Sequence, residues 1–334
     1  MKAIAYQNAG EASVLQDINQ AVPTPQGHDL LVAVHAVSVN PVDTKIRKGV
    51  TAAAGQWKVL GWDATGVVGA VGPDVTLFKP GDRVWYAGDI SRNGSNAELQ
   101  LVDERIVGKM PVSLDFAEAA ALPLTAITAW EMLFDRLKIA KDQQNHDQQL
   151  LIIGAAGGVG SIMIQLARQL TGIKVIATAS RPETQAWVRE LGAHEVIDHS
   201  KPLREELQRI GINQVSHIVS LNQTDQHFEQ IVECIAPQGK FGLIDDPAPI
   251  DISKLKRKSV SLHWELMFTR ALYQTPDMIE QHHLLNQVAD LVDAGVIRST
   301  ANQVLGAINA RNLQQAHALI ESGNTKGKVV LAGF

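Results

Sequence analysis

The turn Gly154-Ala155-Ala156-Gly157-Gly158-Val159-Gly160 constrains this chain more than any other feature. It follows the apolar run QLLIIG and opens an apolar stretch at helical spacing, read as a helix over Gly160–Thr171. The same alternation continues. KVIATAS, EVIDHS, SHIVSL, GKFGLID and SVSLHWELMF read as strands, and helical segments over 182–191, 203–210 and 226–235 separate the first four. Strands separated by helices of this length predict a parallel, doubly wound sheet. Residues without side chains let a ligand approach the backbone closely. A helix N-terminus adds free N–H groups and partial positive charge, so a pyrophosphate suits Ala156, Gly157, Gly158, Val159 and Gly160. Ala155 departs from the usual fingerprint, standing where its first glycine would be.

The residue about twenty positions on selects the cofactor. A site for NAD places Asp or Glu there to accept from the ribose 2′-hydroxyl. Here the strand ends at Ser180, followed by Arg181. A guanidinium suits bidentate capture of a 2′-phosphate, so the residues predict NADPH. The other strand ends face the ligand crevice as well, which makes Ser220, Leu221 and Ile244 candidates for cofactor contact.

The first 115 residues have a different texture. MKAIAY, LLVAVHAVSV, GVVGAV, RVWYAG and AELQLV read as strands in succession, split by PTPQGHD, GPDV and KPGDR. No helix interrupts them, which suggests a barrel-like or sandwich-like unit. Near Asp115 the spacing turns helical up to Ile139, with a break at Pro123. The last sixty residues read as helix, strand, helix and a final strand GKVVLAG, and the adjacent His282 and His283 read as solvated.

Composition excludes several function classes. Thirty basic and thirty-five acidic residues leave a formal charge of −5 without clustering, which argues against a nucleic-acid footprint or a membrane anchor. The one cysteine, Cys234, excludes an intrachain disulfide and any Cys-x-x-Cys knuckle. No apolar run reaches the length of a membrane span, and MKAIAYQNAGE lacks the apolar core of a signal peptide. A cytoplasmic protein is the expectation.

Six motifs in order carry a family resemblance: Asn40-Pro41-Val42-Asp43, GWDATGVVGAVG at 61–72, GDRV at 81–84, AALPLTAITAW at 120–130, AAGGVG at 155–160 and GKVVL at 327–331. The chain resembles the medium-chain dehydrogenase/reductase superfamily, and within it the zinc-free, zeta-crystallin-like quinone oxidoreductases. The branch often labelled zinc-type alcohol dehydrogenase-like looks nearest. The resemblance implies an α/β protein with a GroES-like β-rich catalytic domain over 1–123, completed by 273–334. A Rossmann NADPH-binding domain over 124–272 would be inserted between, with the active site in the cleft. It also implies a homodimer paired through Rossmann edge strands. By motif matching, Thr128 would contact the nicotinamide side, His199 would stand where relatives carry a Tyr near the adenosine, and Lys328 would be a further cofactor contact.

The departures bear on mechanism. Zinc dehydrogenases of this superfamily have Cys where this chain has Asn40 and His where it has Trp62, so no zinc is expected. Without a Lewis acid, the acceptor should be electron-poor, such as a quinone or an enone. Asn40 could donate its amide to the acceptor oxygen, or could cap the turn before Pro41. Asp43 could orient that loop, and Trp62 could wall the pocket or pack in the core. Tyr86 is the one tyrosine placed to serve as a proton donor. The leading expectation is an NADPH-dependent quinone reductase. An enoyl-thioester or 2-alkenal reductase, and a catalytically weak NADPH-binding sensor, are the alternatives.

Overall fold

Residues 1–141 and 145–334 are described by a computed structural model. Alternating apolar runs form β1 (Lys2–Tyr6), β2 (Gln16–Asn19) and the long β3 (Asp29–Val39). Helix α1 (Pro41–Gly49) follows at once. Then come β4 (Lys58–Val59), β5 (Ala64–Val71), β6 (Arg83–Tyr86), β7 (Leu99–Asp103) and β8 (Val107–Lys109). Helices α2 (Phe116–Ala120) and α3 (Pro123–Trp130) run into a π-helical turn over Glu131–Arg136.

Helix α1 corrects the expectation of uninterrupted strands. Pro41 sits at its first position, where a missing N–H costs nothing. Asp43 reaches back to accept the Asn40 N–H at 2.7 Å, and Arg47 and Lys48 close the last turn.

The central segment alternates as its sequence predicts. It comprises β9 (Gln149–Ile153), α4 (Gly158–Leu170), β10 (Lys174–Thr178), α5 (Pro182–Glu190), β11 (Glu195–Ile197) and α6 (Leu203–Arg209). β12 (Val215–Ser220), α7 (Thr224–Cys234), β13 (Ile235–Leu243) and β14 (Ser261–Trp264) complete it. All six strands run parallel in the order β11-β10-β9-β12-β13-β14. The crossovers bury both faces, so Leu151, Ile176, Ile218 and Phe241 pack in one core. Only Ser261–Trp264 of the expected strand SVSLHWELMF is extended, and it forms the sheet edge.

The chain then adds α8 (Thr269–Leu272), α9 (Glu280–Asp293), β15 (Ala301–Val304), α10 (Ala310–Glu321) and β16 (Lys328–Ala332). β16 pairs antiparallel with β3, extending a sheet ordered β15-β16-β3-β5-β6-β8, in which β7 also pairs with β3. The remaining strands form the sheet β2-β1-β4. Two compact units result: Met1–Ile127 with Met267–Phe334, and Thr128–Leu266. The first is a β-rich unit of the GroES-like kind and the second a doubly wound Rossmann unit.

His282 is not solvated. It is buried on α9, with Nδ1 2.6 Å from the Val107 carbonyl, and only His283 is exposed.

Candidate active-site residues

Strand register assembles the polar centre of the first unit. Val329 lies opposite Val39, so Lys328 falls opposite Asn40 on the same sheet face. On the other side of β3, Val37 pairs with Ala64, which sets Ser38 opposite Asp63. Four polar side chains therefore meet beneath the start of α1. The Lys328 Nζ donates to the Asn40 Oδ1 and, at 3.1 Å, to the Val39 carbonyl, and it stands 3.1 Å from the Asp63 Oδ2. That same Oδ2 accepts from the Ser38 hydroxyl at 2.8 Å and from the Asn40 amide at 3.1 Å. The Asp63 Oδ1 accepts the Leu124 N–H at 3.0 Å, close to the start of α3. Asp43 accepts the Asn40 N–H with Oδ2 and the Gly61 N–H with Oδ1. Gly61 has φ of +110°, and an added Cβ would fall 2.6 Å from the Ser95 Oγ, so only glycine serves there.

Ser38, Asn40, Asp43, Asp63 and Lys328 are each at most 3% exposed. Burial dominates their titration. It pushes the Asp43 carboxyl up to about 7, against the two N–H groups it accepts. It raises Asp63 and lowers Lys328, each opposed by the other's charge.

Several expectations change as a result. The Asn40 amide is spent on Ser38, Trp62 and Asp63 oxygens at 3.1–3.4 Å, so it has no hydrogen left for an acceptor. Lys328, read from the resemblance as a cofactor contact, faces Asn40 and Asp63 and is 3% exposed, so its ammonium belongs to this network. The Trp62 ring is wholly buried, edge-on to Phe268 at 6.2 Å, and its indole N–H donates to Asp89. It packs; it does not wall a pocket. Tyr86 is also wholly buried, its hydroxyl has no partner among the described residues, and burial drives its ionisation far above the ordinary phenol range. A phenol so placed is a poor proton donor. Asp63, which the sequence offers with Asp43 as a carboxylate orienting backbone and neighbouring side chains, is the hub of the network, and its neighbours come from strands distant along the chain.

In the second unit the glycine turn is built as a cradle. Gly154 has φ of +79°, and a Cβ on Gly160 would lie 2.3 Å from the Ala155 carbonyl, so α4 can begin this close to β9 only with glycine. Gly157 caps α4 without a side chain, leaving the first turn open to a ligand. Ala156, Gly157, Gly158 and Val159 are partly exposed, while Gly160 is buried. Ser180 and Arg181 follow β10, and Arg181 Nε lies 3.2 Å from Glu183. His199 is partly buried just past β11, its Nδ1 unpartnered among the described residues, and its ring lies 6.1 Å from that of His227. Thr224 donates its hydroxyl and its N–H to Asp245, and its hydroxyl oxygen lies 2.8 Å from the Ser220 hydroxyl at the end of β12. Leu221 and Ile244 are partly exposed at neighbouring strand ends, and Thr128 is buried on α3.

A strand-rich unit closed by its own C-terminal strand, joined to a parallel sheet with a glycine cradle, defines a nucleotide-dependent dehydrogenase scaffold. Comparison with known proteins agrees. The alcohol dehydrogenase GroES-like domain matches residues 26–112 and the zinc-binding dehydrogenase family matches 191–331. A zinc-type alcohol dehydrogenase-like protein from Staphylococcus aureus is 42% identical over 340 residues, covering 99% of each chain. A Rhizobium etli crystal structure, provisionally described as a zinc-dependent alcohol dehydrogenase, is 57% identical with a TM-score of 0.96, covering 100% of this chain and 98% of that one. Escherichia coli quinone oxidoreductase, solved with NADPH, is 25% identical with a TM-score of 0.84, covering 99% and 100%. The chain belongs to the medium-chain dehydrogenase/reductase superfamily, among its zinc-type alcohol dehydrogenase-like members, and is an oxidoreductase.

The donor set does not fit the zinc in those names. Zinc takes thiolate, imidazole or carboxylate ligands in threes and fours. Here Asn40 and Trp62 supply none, and both Asp63 oxygens are already bonded. Among the described residues, no group of three His, Cys, Asp or Glu side chains could hold a metal. The glycine cradle, by contrast, fits a dinucleotide.

Proposed function

We propose that this chain is an NADPH-dependent, zinc-independent oxidoreductase acting on a quinone or a similar conjugated carbonyl. The observation that carries it is the saturated Asn40–Asp63–Lys328 network, which leaves no ligand for a Lewis acid. Bound NADPH supplies a hydride, and an electron-poor acceptor takes it with little polarisation of its oxygen. Ala156, Gly157, Gly158, Val159 and Gly160 bind the pyrophosphate through backbone N–H groups. Ser180 and Arg181 hold the 2′-phosphate, for which Arg181 exchanges its surface pair with Glu183. His199 and Ser220, with Leu221 and Ile244 beside them, line the remaining cofactor surface, and Thr128 faces the nicotinamide. Asp43 holds the 40–43 turn in place. Hydride transfer to a quinone would leave a hydroquinone monoanion, which takes its one proton from water, since Tyr86 is sealed in the core. That burial also weighs against the enoyl reductase alternative.

A homodimer fits the edge strand β14, where Trp264 at its end and Leu266 just past it are 53% and 51% exposed. No helix among the described residues is long and apolar enough to cross a membrane.

The test is stopped-flow oxidation of NADPH and of NADH against quinones, 2-alkenals and simple aldehydes. Turnover of quinones with NADPH is expected, and activity confined to simple aldehydes refutes the proposal. The variant Ser180→Asp/Arg181→Ala should move preference toward NADH by about tenfold or more. Unchanged preference refutes the cofactor assignment.

A further inference from the structure

The chain passes between its two units twice, at Ile127–Thr128 and at Leu266–Met267. Helix α3 carries the first passage, and the π-helical turn over Glu131–Arg136 continues it. The second passage follows β14 directly, and the Glu265 N–H there donates to the Leu243 carbonyl at 3.1 Å. Turns of the π type are rare and concentrate at functional positions. This one sets Met132 against the bare face of Gly242 and is followed by the Leu137 carbonyl, which accepts from the Lys240 ammonium, both partners lying on β13.

Side chains join the two passages inside the second unit. Glu131, within a helical turn of the first passage, is 0% exposed, and Glu265, beside the second, is 3% exposed. Their carboxyl groups lie within hydrogen-bond reach of each other, and Arg136 bridges both, 2.6 Å from Glu265 and 3.7 Å from Glu131. Two carboxyl groups can hydrogen-bond only if one keeps its proton, because an ionised carboxylate only accepts. Two buried anions on one cation would leave a net charge that the interior does not tolerate. The other titratable groups on the packed strands are His217 on β12, Lys240 on β13 and His263 on β14. Burial lowers both histidines, so neither is charged in the alkaline range, and Lys240 is engaged with Leu137.

We propose that Glu131, Glu265 and Arg136 form a proton-held clamp joining the two connections of the second unit, so that both loosen together in one local opening. All three are positioning residues. Opening exposes the Glu265 carboxyl to water, where it releases its proton and becomes a carboxylate. In the closed form burial, and then the Glu131 charge, push that carboxyl from near 4.5 up to about 9. Opening therefore grows with pH across that interval, by about tenfold per unit for one proton released. All of these contacts lie within the second unit and involve neither the cofactor nor the acceptor proposed above.

The test is hydrogen exchange of the full chain, read by mass spectrometry between pH 7 and 8.5 and divided by the intrinsic amide rate. Peptides covering 124–136 and 261–268 should share one opening equilibrium and exchange faster than β9 and β12. Their opening should rise about tenfold per pH unit. Glu265→Gln keeps a hydrogen-bond donor without a titrating proton and should remove that pH dependence from both peptides. Arg136→Met leaves the acid pair without its cation and should raise opening of both by about tenfold or more. Three results overturn the inference: opening of one connection without the other, exchange of both only together with β9 and β12, or an unchanged pH dependence in Glu265→Gln. Should Arg136→Met fail to fold, the wild type and Glu265→Gln decide the matter. Failure of quinone turnover alone would strike the proposed function and leave these exchange results standing.

Discussion

Glu265 lies just past β14, 3% exposed, with the Arg136 Nε 2.6 Å from one carboxylate oxygen. Glu131, on the π-helical turn, is beside it and shares the same guanidinium at 3.7 Å. One cation cannot neutralise two buried carboxylates. Burial first, and the Glu131 charge second, push Glu265 from near 4.5 up to about 9. The folded protein therefore holds a proton that the unfolded chain releases, and stability falls as pH rises between those values. His217 and His317 are pushed down to about 4 by burial, and Asp43 up to about 7, so their effects lie below pH 7.5. Melting measured from pH 7.5 to 9 should decline in the wild type, and Glu265→Gln should flatten it. An identical decline in the variant would show that Glu265 carries no proton there. Residues of this kind are illegible in sequence, because 131 and 265 become neighbours only when β14 docks beside the π-helical turn. Asn40 and Asp43 were legible as a motif, but their partners were not.

At the scale of elements, Asn40-Pro41-Val42-Asp43 does two things at once. It is a family signature, and it is a helix start with proline at the first position and a carboxylate returning to the cap. Reading only the signature hides α1. The turn at 154–160 was read more completely, since its glycines, the preceding strand and the following helix are all local. Its steric demand yields a direct expectation. Gly160→Ala sets a methyl 2.3 Å from the Ala155 carbonyl, which is backbone and cannot turn aside. The start of α4 must shift away from β9. NADPH affinity, measured by fluorescence titration, should fall by about tenfold or more, with a loss of roughly 1–3 kcal/mol in stability from overpacking. Unchanged affinity would separate this turn from cofactor binding.

For the whole molecule, the consequential step is the return of the last strand. β16 completes the sheet begun by β3, so the first unit is built from both ends of the chain, with the Rossmann unit inserted. The Rossmann sheet leaves β14 unpaired on one side, short, and flanked by exposed Trp264 and Leu266. An edge of this kind pairs with another strand or risks doing so unspecifically. Trp264→Arg/Leu266→Asp should convert a dimer into a monomer in light-scattering chromatography, with the parallel sheet intact by circular dichroism. A wild type that is already monomeric would remove the dimer from the proposed function.

The sequence by itself determined the alternation of strands and helices, the glycine cradle and the membership of the superfamily. Each rests on residues close together in the chain, where periodicity, turn chemistry and the free N–H groups of a helix start operate. Tertiary structure alone decided what the polar residues do. Asn40 and Asp63 are 23 positions apart and Lys328 lies 288 beyond Asn40, and only strand register sets them within hydrogen-bond reach. Once buried together they must satisfy one another, because water is excluded and an unpaired charge there costs more than the fold can supply. That requirement joins Asn40, Asp63 and Lys328, read separately in the sequence, into one internal network.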